Sequence, residues 1–216
     1  MIELIFIAIL SYILGSIPFS LLIAKAYGKN LYEIGSKNVG AANVYRATKK
    51  VEALLMALIG DVGKGALAIF LARIIIAGSP EYGIILPQAV AAFFVVAGHN
   101  WPLFLKFKGG RGLASLAGII IALNWTLIFW VLLTIGVFIF LTELVMQRGI
   151  KLKGGLKGLF KIFLSQVVGR MIGILAAAIL VYVLYPEIFK ILFPAVILSG
   201  IKHIKRTKTF LEGEAP

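Results

Sequence analysis

Between two hydrophobic stretches the chain reads Gly98-His99-Asn100-Trp101-Pro102-Leu103-Phe104-Leu105-Lys106-Phe107-Lys108-Gly109-Gly110-Arg111-Gly112. Three glycines interleaved with cations can bring backbone N–H groups and positive charge against one small anion, such as a phosphate. Lys108 and Arg111 flank Gly109 and Gly110, where glycine leaves the approach to the backbone unobstructed. His99 precedes this cradle and Gly112 closes it. Trp101 and Phe104 read as interfacial anchors before they read as ligand contacts. A glycine-rich stretch alone is a weak signal, and its weight here comes from the cations and from the edge of an apolar run.

Three further polar segments share this character. Gly35-Ser36-Lys37-Asn38-Val39-Gly40-Ala41-Ala42-Asn43-Val44-Tyr45-Arg46 combines small residues for tight turns with donors from Ser36, Asn38, Asn43 and Arg46. Those donors suit phosphate oxygens or glycerol hydroxyls, although alone the segment also reads as a glycine-rich loop with solvated cations. Gly60-Asp61-Val62-Gly63-Lys64-Gly65 lies inside an apolar run. Asp61 and Lys64, three apart, share a helical face and can pair. Charge at membrane depth is costly unless paired or facing a polar cavity, so a neutralised anchor and a functional pair stand level. The G-x-x-x-x-G-K-[ST] nucleotide loop is absent. Lys202-His203-Ile204-Lys205-Arg206-Thr207-Lys208 closes the set. It reads either as a cationic cluster for anionic headgroups or as a helix turning His203 and Arg206 toward the other motifs.

Composition fixes what carries these residues. The chain of 216 residues is 61% hydrophobic and only 14% charged, with a net charge of +13. Its mean hydropathy is +1.01. A soluble domain is about 25% charged, so most of this surface faces something other than water. With no cysteine, disulfides, thiolate–metal sites and cysteine nucleophiles are excluded. Two histidines in separate segments make no metal cluster, and no cofactor is implied. No linker, low-complexity tract or fixed-period repeat divides the sequence, so residues 1–216 are expected to form a single domain.

Apolar runs of about 20 residues mark membrane-crossing helices. They fall at Glu3–Tyr27, Glu52–Gly78, Gly83–His99, Leu113–Asn124, Leu127–Met146, Phe163–Leu184 and Ile188–Ile201. The expected fold is all-α and polytopic, with about seven transmembrane helices; six, or five with re-entrant segments, fit the same runs. Leu113–Asn124 can form a tight hairpin with the run after it, turning at Asn124-Trp125. The first run begins with a charged residue and lacks a small-residue cleavage site after a short core, unlike a signal peptide.

Cations then set the orientation. Lys25, Lys29, Lys37, Arg46, Lys49 and Lys50 follow the first run; Lys106, Lys108 and Arg111 follow the third. Arg148, Lys151, Lys153, Lys157 and Lys161 follow the fifth, and the basic tail follows the last. The alternate connections Ser79–Tyr82, Asn124–Thr126 and Tyr185–Glu187 hold no lysine or arginine. Positive loops stay inside. The expected arrangement has the N-terminus outside, the C-terminus cytoplasmic and all four polar segments on the cytoplasmic face. Net charge concentrated in the connections speaks for anionic headgroups as partners and not for nucleic acid.

These segments, in this order, resemble the acylphosphate-dependent glycerol-3-phosphate acyltransferases of bacterial membranes, the PlsY family. Its first motif, roughly G-S-G-N-[IV]-G-A-T-N-V-x-R, is matched by Gly35 through Arg46. D-x-x-K-G is matched at Asp61, Lys64 and Gly65, and G-H-x-[FYW]-P-[VL]-F-x-x-F-K-G-G-K-G from Gly98 to Gly112. The family tail has a basic residue and histidine followed by G-E, here Lys202-His203 and Gly213-Glu214. The resemblance implies acyl transfer from acyl phosphate to the 1-hydroxyl of sn-glycerol 3-phosphate, giving lysophosphatidic acid and phosphate in phospholipid synthesis at the bacterial inner membrane.

It implies a catalytic set of Ser36, Arg46 and His203, with Asn38, Asn43, Asp61, Lys64, His99, Lys108, Gly109, Gly110, Arg111 and Gly112 around the substrates. An acyl phosphate is already an activated mixed anhydride, so no covalent enzyme nucleophile is required. The H-x-x-x-x-D dyad of other glycerolipid acyltransferases is absent, since Phe104 follows His99 and Lys208 follows His203 at that spacing. Direct attack by the substrate hydroxyl is the expected route, with positioning and charge stabilisation supplying most of the rate and the donor's own phosphate accepting the proton.

The chain also departs from the family. Lys37 replaces a glycine, Ala42 a threonine, Arg111 a second lysine and Arg206 an asparagine. A serine-rich S-L-x-S entry to the sixth span has no counterpart around Gly169–Gly173, where Arg170 sits. The segment between Arg148 and Lys161 is longer and more basic. Two other classes therefore remain open, a diverged lipid-binding relative without turnover and a transporter or flippase of anionic lipid precursors. The second would carry inverted repeats, and none is found. Acyl-chain preference and oligomeric state are not written in these residues.

Overall fold

The computed structural model describes residues 1–145 and 168–211. It is built of helices: α1 (Ile2–Ser16), α2 (Phe19–Ala26), α3 (Ala41–Thr48), α4 (Val51–Ile76), α5 (Ile85–Asn100), α6 (Leu113–Leu123), α7 (Leu127–Val145), α8 (Val168–Leu184) and α9 (Pro186–Leu211). Short 3-10 turns sit at Pro80–Tyr82 and Leu103–Leu105. Three stretches are long and apolar enough to cross a membrane: Ile2–Ala26, Val51–Ile76 and Ile85–Leu105. Helices α6, α7 and α8 supply shorter apolar segments.

The first run departs from the continuous helix expected of it. Ile17 leaves α1 in an extended conformation, with φ −65° and ψ 115°, and α2 restarts after Pro18. Proline has no N–H to give the preceding turn, and its ring drives the residue before it out of the α region. The motif from Gly35 to Arg46 also proves to be more than a loop. Its second half is α3, which buries Ala41, Asn43 and Val44 and ends at Lys49 in the left-handed region (φ 58°). At the far end of the chain α9 runs ten residues past the expected limit of Ile201, to Leu211. The segment Arg148–Lys161, the first residues of the run from Phe163 and the pair Gly213-Glu214 lie outside the described residues.

The described chain forms two compact units, residues 1–124 with 190 onward, and residues 125–189. In the first, α1 packs on α5 and α4 on α6. Glycine allows both approaches: a methyl at Gly15 would lie 2.2 Å from the Val95 carbonyl oxygen, and one at Gly118 would lie 1.9 Å from that of Val62. Small residues play this part where helices meet in lipid, since apolar burial there offers no drive of its own. In the second unit α7 pairs with α8, and Gly169 and Gly173 sit against Ile139 and Ile135. Large apolar side chains such as Ile59, Phe70, Phe129 and Leu133 remain exposed, as lipid-facing surfaces require.

Contacts at the helix ends separate two poles of the first unit. The Met1 ammonium donates to the Tyr82 hydroxyl, and the Ser79 hydroxyl reaches Glu3 Oε1 at 3.5 Å. At the other end of α1, Ser16 Oγ accepts the Leu103 N–H at 3.3 Å, and the Tyr12 hydroxyl donates to the Trp101 carbonyl at 2.8 Å. The glycine-rich segments thus gather opposite the turn that joins α4 to α5.

Candidate active site

A cleft opens at that second pole, where the break after α1, the middle of α4, the end of α5 and the glycine-rich segment meet. Gly15, Ser16, Ser20, Val39, Asp61, Lys64, His99, Gly109 and Gly110 are among its lining. Its floor is a buried polar network. Lys64 Nζ donates to Asp61 Oδ1 at 2.9 Å and to the carbonyls of Gly15 and Ile17, each at 3.0 Å. All three ammonium protons are therefore committed, two of them to carbonyls around the proline break. Ser20 Oγ donates to Asp61 Oδ2 at 2.7 Å. A buried charge is tolerable when it is paired and its remaining lone pairs are satisfied, and this pair meets both conditions.

His99 joins that network to the glycine-rich segment. Its Nδ1 stands 3.6 Å from Asp61 Oδ1 and 3.4 Å from Ser115 Oγ at the start of α6. Its carbonyl accepts the Gly110 N–H at 3.0 Å. Methyl groups on the two glycines have no room: at Gly109 one would lie 2.2 Å from the His99 carbonyl oxygen, and at Gly110 2.1 Å from His99 Nε2 and 2.6 Å from the Val39 carbonyl. The sequence reading expects an open approach to the backbone of Gly109 and Gly110; the structure instead commits the Gly110 N–H to the His99 carbonyl and gives glycine a packing reason at both positions. Gly109 lies against the His99 carbonyl and the Pro102 ring, and Gly110 against the imidazole.

The remaining expected site residues form the surroundings of this cleft and stand outside its lining. Asn43 is buried, and its side chain serves the preceding loop: Oδ1 accepts the Ser36 N–H at 3.1 Å while Nδ2 donates to the carbonyls of Leu31 and Ile34 at 3.1 and 3.0 Å. Gly35, at φ 57°, lies beside Asn43 Oδ1 and the stem of Arg46. Burial lowers the Arg46 pKa below the ordinary guanidinium value. Asn38 is partly buried beside Gly40. Lys108 is exposed, and its carbonyl accepts the Tyr32 hydroxyl at 3.0 Å; burial raises the pKa of that phenol.

Helix α9 holds the end of the cradle. Ser199 Oγ donates to the Arg111 carbonyl at 2.6 Å, and one turn on, His203 Nδ1–H donates to the Ser199 carbonyl at 2.9 Å. Asn100 Nδ2 donates to the Leu198 carbonyl at 3.1 Å, and Lys202 Nζ sits 4.9 Å from the Trp101 ring centroid. Gly112, at φ 80°, opens α6 and lies beside Asn100 and Val96. Ser20, Ser115 and Ser199 had no place in the sequence reading. Each is a lone hydroxyl in an apolar run, and the one signal available was that such a hydroxyl must bond something within lipid.

A helical membrane protein with a charged, glycine-walled cleft is the class this fold and site define. Residues 5–213 match the family model of glycerol-3-phosphate acyltransferase. The glycerol-3-phosphate acyltransferase of Wolbachia pipientis subsp. Culex pipiens (strain wPip) is 36% identical over 207 residues, 96% of this chain and 94% of its own. That of Dinoroseobacter shibae is 48% identical over 122 residues, 56% of either chain. Among solved structures, the glycerol 3-phosphate form of PlsY (YgiH), an integral membrane glycerol 3-phosphate acyltransferase, is similar with a TM-score of 0.72 at 25% identity. The match covers 99% of this chain and 94% of that one. The chain belongs to the glycerol-3-phosphate acyltransferase family of the integral-membrane, PlsY type.

Proposed function

We propose that this chain transfers an acyl group from an acyl phosphate to the 1-hydroxyl of sn-glycerol 3-phosphate, releasing lysophosphatidic acid and phosphate, with residues 1–216 acting as one acyltransferase domain. The observation that carries the reading is the packing of Gly109 and Gly110 onto His99 above the Asp61–Lys64 pair, in a chain of this family. Family membership also disfavours the flippase and lipid-binding alternatives.

In this reading Lys108, Arg111 and the Gly109–Gly112 segment hold a phosphate group, the Gly110 N–H itself being committed to the His99 carbonyl. Arg46 neutralises the second anion, while Ser36 and Asn38 orient glycerol or phosphate oxygens, and His203 orients a phosphate from α9. Asn43 acts through the loop that presents Ser36, and Asp61 and Lys64 act through His99 and the α1–α2 break. The hydroxyl oxygen attacks the acyl carbon directly as the acyl–phosphate bond breaks. Holding two reactants in line and matching developing charge are the largest contributions available to such a site.

The same reading places seven crossings in the inner membrane, with an outside N-terminus, a cytoplasmic C-terminus and the cleft on the cytoplasmic face. The two poles support it. The turn that meets Met1 holds no lysine or arginine, while the opposite pole carries Lys106, Lys108 and Arg111. Positive connections favour the cytoplasmic side.

Purified protein given acyl phosphate and labelled glycerol 3-phosphate should yield lysophosphatidic acid and phosphate in equal amounts, and acyl-coenzyme A in a parallel reaction should yield neither. Ser36→Ala and Arg46→Ala should abolish transfer in membranes at normal expression. Full activity in both variants would overturn the site assignment.

A further inference from the structure

We propose that Ser199 of α9 is a positioning residue for Arg111, holding the end of the glycine-rich segment in register with the helix that carries His203. This rests on the acyltransferase reading, in which Arg111 and His203 both address phosphate. Two consecutive residues of α9 hold the two ends of the Gly98–Gly112 segment. Near its start, Asn100 Nδ2 donates to the Leu198 carbonyl at 3.1 Å; near its end, the Arg111 carbonyl accepts Ser199 Oγ at 2.6 Å. The ends meet here, since a methyl on Gly112 would come within 3.1 Å of Asn100 Oδ1. Lys202 Nζ, 4.9 Å from the Trp101 ring centroid, adds a third contact about one turn further along α9.

The direction of the Ser199 hydroxyl singles it out. A serine or threonine inside a helix can satisfy itself on the carbonyl four residues back. Ser16, Thr48, Thr134 and Thr142 do so, at 2.7 or 2.8 Å. Ser199 is buried and reaches across to another element instead. The carbonyl it takes lies one residue before the start of the α6 ladder, where Leu116 N–H donates to the Gly112 carbonyl at 2.8 Å. Its own carbonyl accepts His203 Nδ1–H at 2.9 Å. One residue thus joins the Arg111 backbone to the His203 ring. A phosphate addressed by both needs them at a fixed spacing, and a slip of α9 by a single turn, about 5.4 Å, would separate them.

The experiment is steady-state kinetics with acyl phosphate and glycerol 3-phosphate, per folded molecule, for Ser199→Ala, Arg111→Ala and the double variant. Ser199→Ala should lower kcat/KM by about tenfold or more, because a small misplacement of a binding group is costly. Acting through Arg111, it should add less than about twofold to the loss already seen in Arg111→Ala. Ser199→Thr and Ser199→Val have nearly the same shape and differ in the hydroxyl, so any packing cost is shared. The threonine variant should exceed the valine variant by about fivefold or more. Losses that multiply in the double variant overturn the proposal, since they mark Ser199 as a packing residue acting independently of Arg111. A threonine variant no better than the valine variant overturns it too, as does Ser199→Ala or Arg111→Ala within about twofold of wild type. In those cases a wild type that makes lysophosphatidic acid leaves the acyltransferase reading standing. A wild type that makes none overturns that reading and this one with it.

Discussion

The α1–α6 unit and the α7–α8 pair use one packing device for different ends. Both bring helices together over glycine. Gly15, Gly65 and Gly118 meet backbone carbonyls in the first, while Gly169 and Gly173 meet the backbone of α7 in the second. Only the first also buries Asp61, Lys64, His99 and Ser20. Glycine contacts alone are therefore a way of joining helices in lipid. The charged network between such contacts is what distinguishes a site from a scaffold, because in a membrane a charge persists only where every polar atom is answered.

Variants can break or sharpen that contrast. The largest effect is expected from Lys64→Met, which leaves Asp61 buried without its countercharge and takes from the Gly15 and Ile17 carbonyls the donor they share. Unfolding in detergent should show a loss of about 3–5 kcal/mol. Loss below about 1 kcal/mol would mean that the network is decoration on a glycine scaffold. Next is Gly110→Ala, whose methyl would meet His99 Nε2 at 2.1 Å and the Val39 carbonyl at 2.6 Å. Its kcat/KM should fall by about 100-fold or more, or about 2.7 kcal/mol, since the clash displaces the cradle itself.

Gly169→Ala belongs to the other region. Its methyl would lie 2.8 Å from the Ile139 Cα, so thermal unfolding should report about 1–3 kcal/mol of destabilisation while kcat per folded molecule stays within about twofold. A large kcat loss there would erase the distinction drawn above. The smallest effect is Lys37→Gly. Lys37 holds φ 52°, a conformation that costs a side-chain-bearing residue about 1–2 kcal/mol, so stability should rise by about 1 kcal/mol with KM little changed. A marked change in KM for glycerol 3-phosphate would instead give the Lys37 ammonium a part in binding.

Much of this arrangement was legible in the sequence, for identifiable reasons. Apolar runs announce helices in lipid, so α4, α5, α6 and α7 begin and end within two residues of expectation. The Asp61–Lys64 pair follows from helical spacing alone. The break after α1 was overridden by hydropathy: Ile17 and Pro18 sit in an otherwise apolar run, and an average over twenty residues does not register one missing N–H. Helix α3 escaped for the opposite reason. It is short and its glycine-rich entry reads as a turn, so its helical half was carried by the burial of Asn43 and Val44 against neighbours that no local pattern names. Ser20 and Ser115 were invisible because a single hydroxyl has no spacing to recognise. The Lys37 substitution acquires meaning only from its positive φ, which explains why glycine occupies that place in the resembling motif.

The clamp of Lys64 on the α1–α2 break bears on how the protein is made. A first segment entering the bilayer alone would expose the Gly15 carbonyl to hydrocarbon, a penalty of several kcal/mol for an unsatisfied group. Its donor, Lys64 of α4, lies 38 residues further along the chain than the end of α2. The two halves of the first segment and the second segment are thus one unit of insertion. Biogenesis must keep the leading segment sheltered, within the insertion machinery or against water, until the lysine emerges to join it.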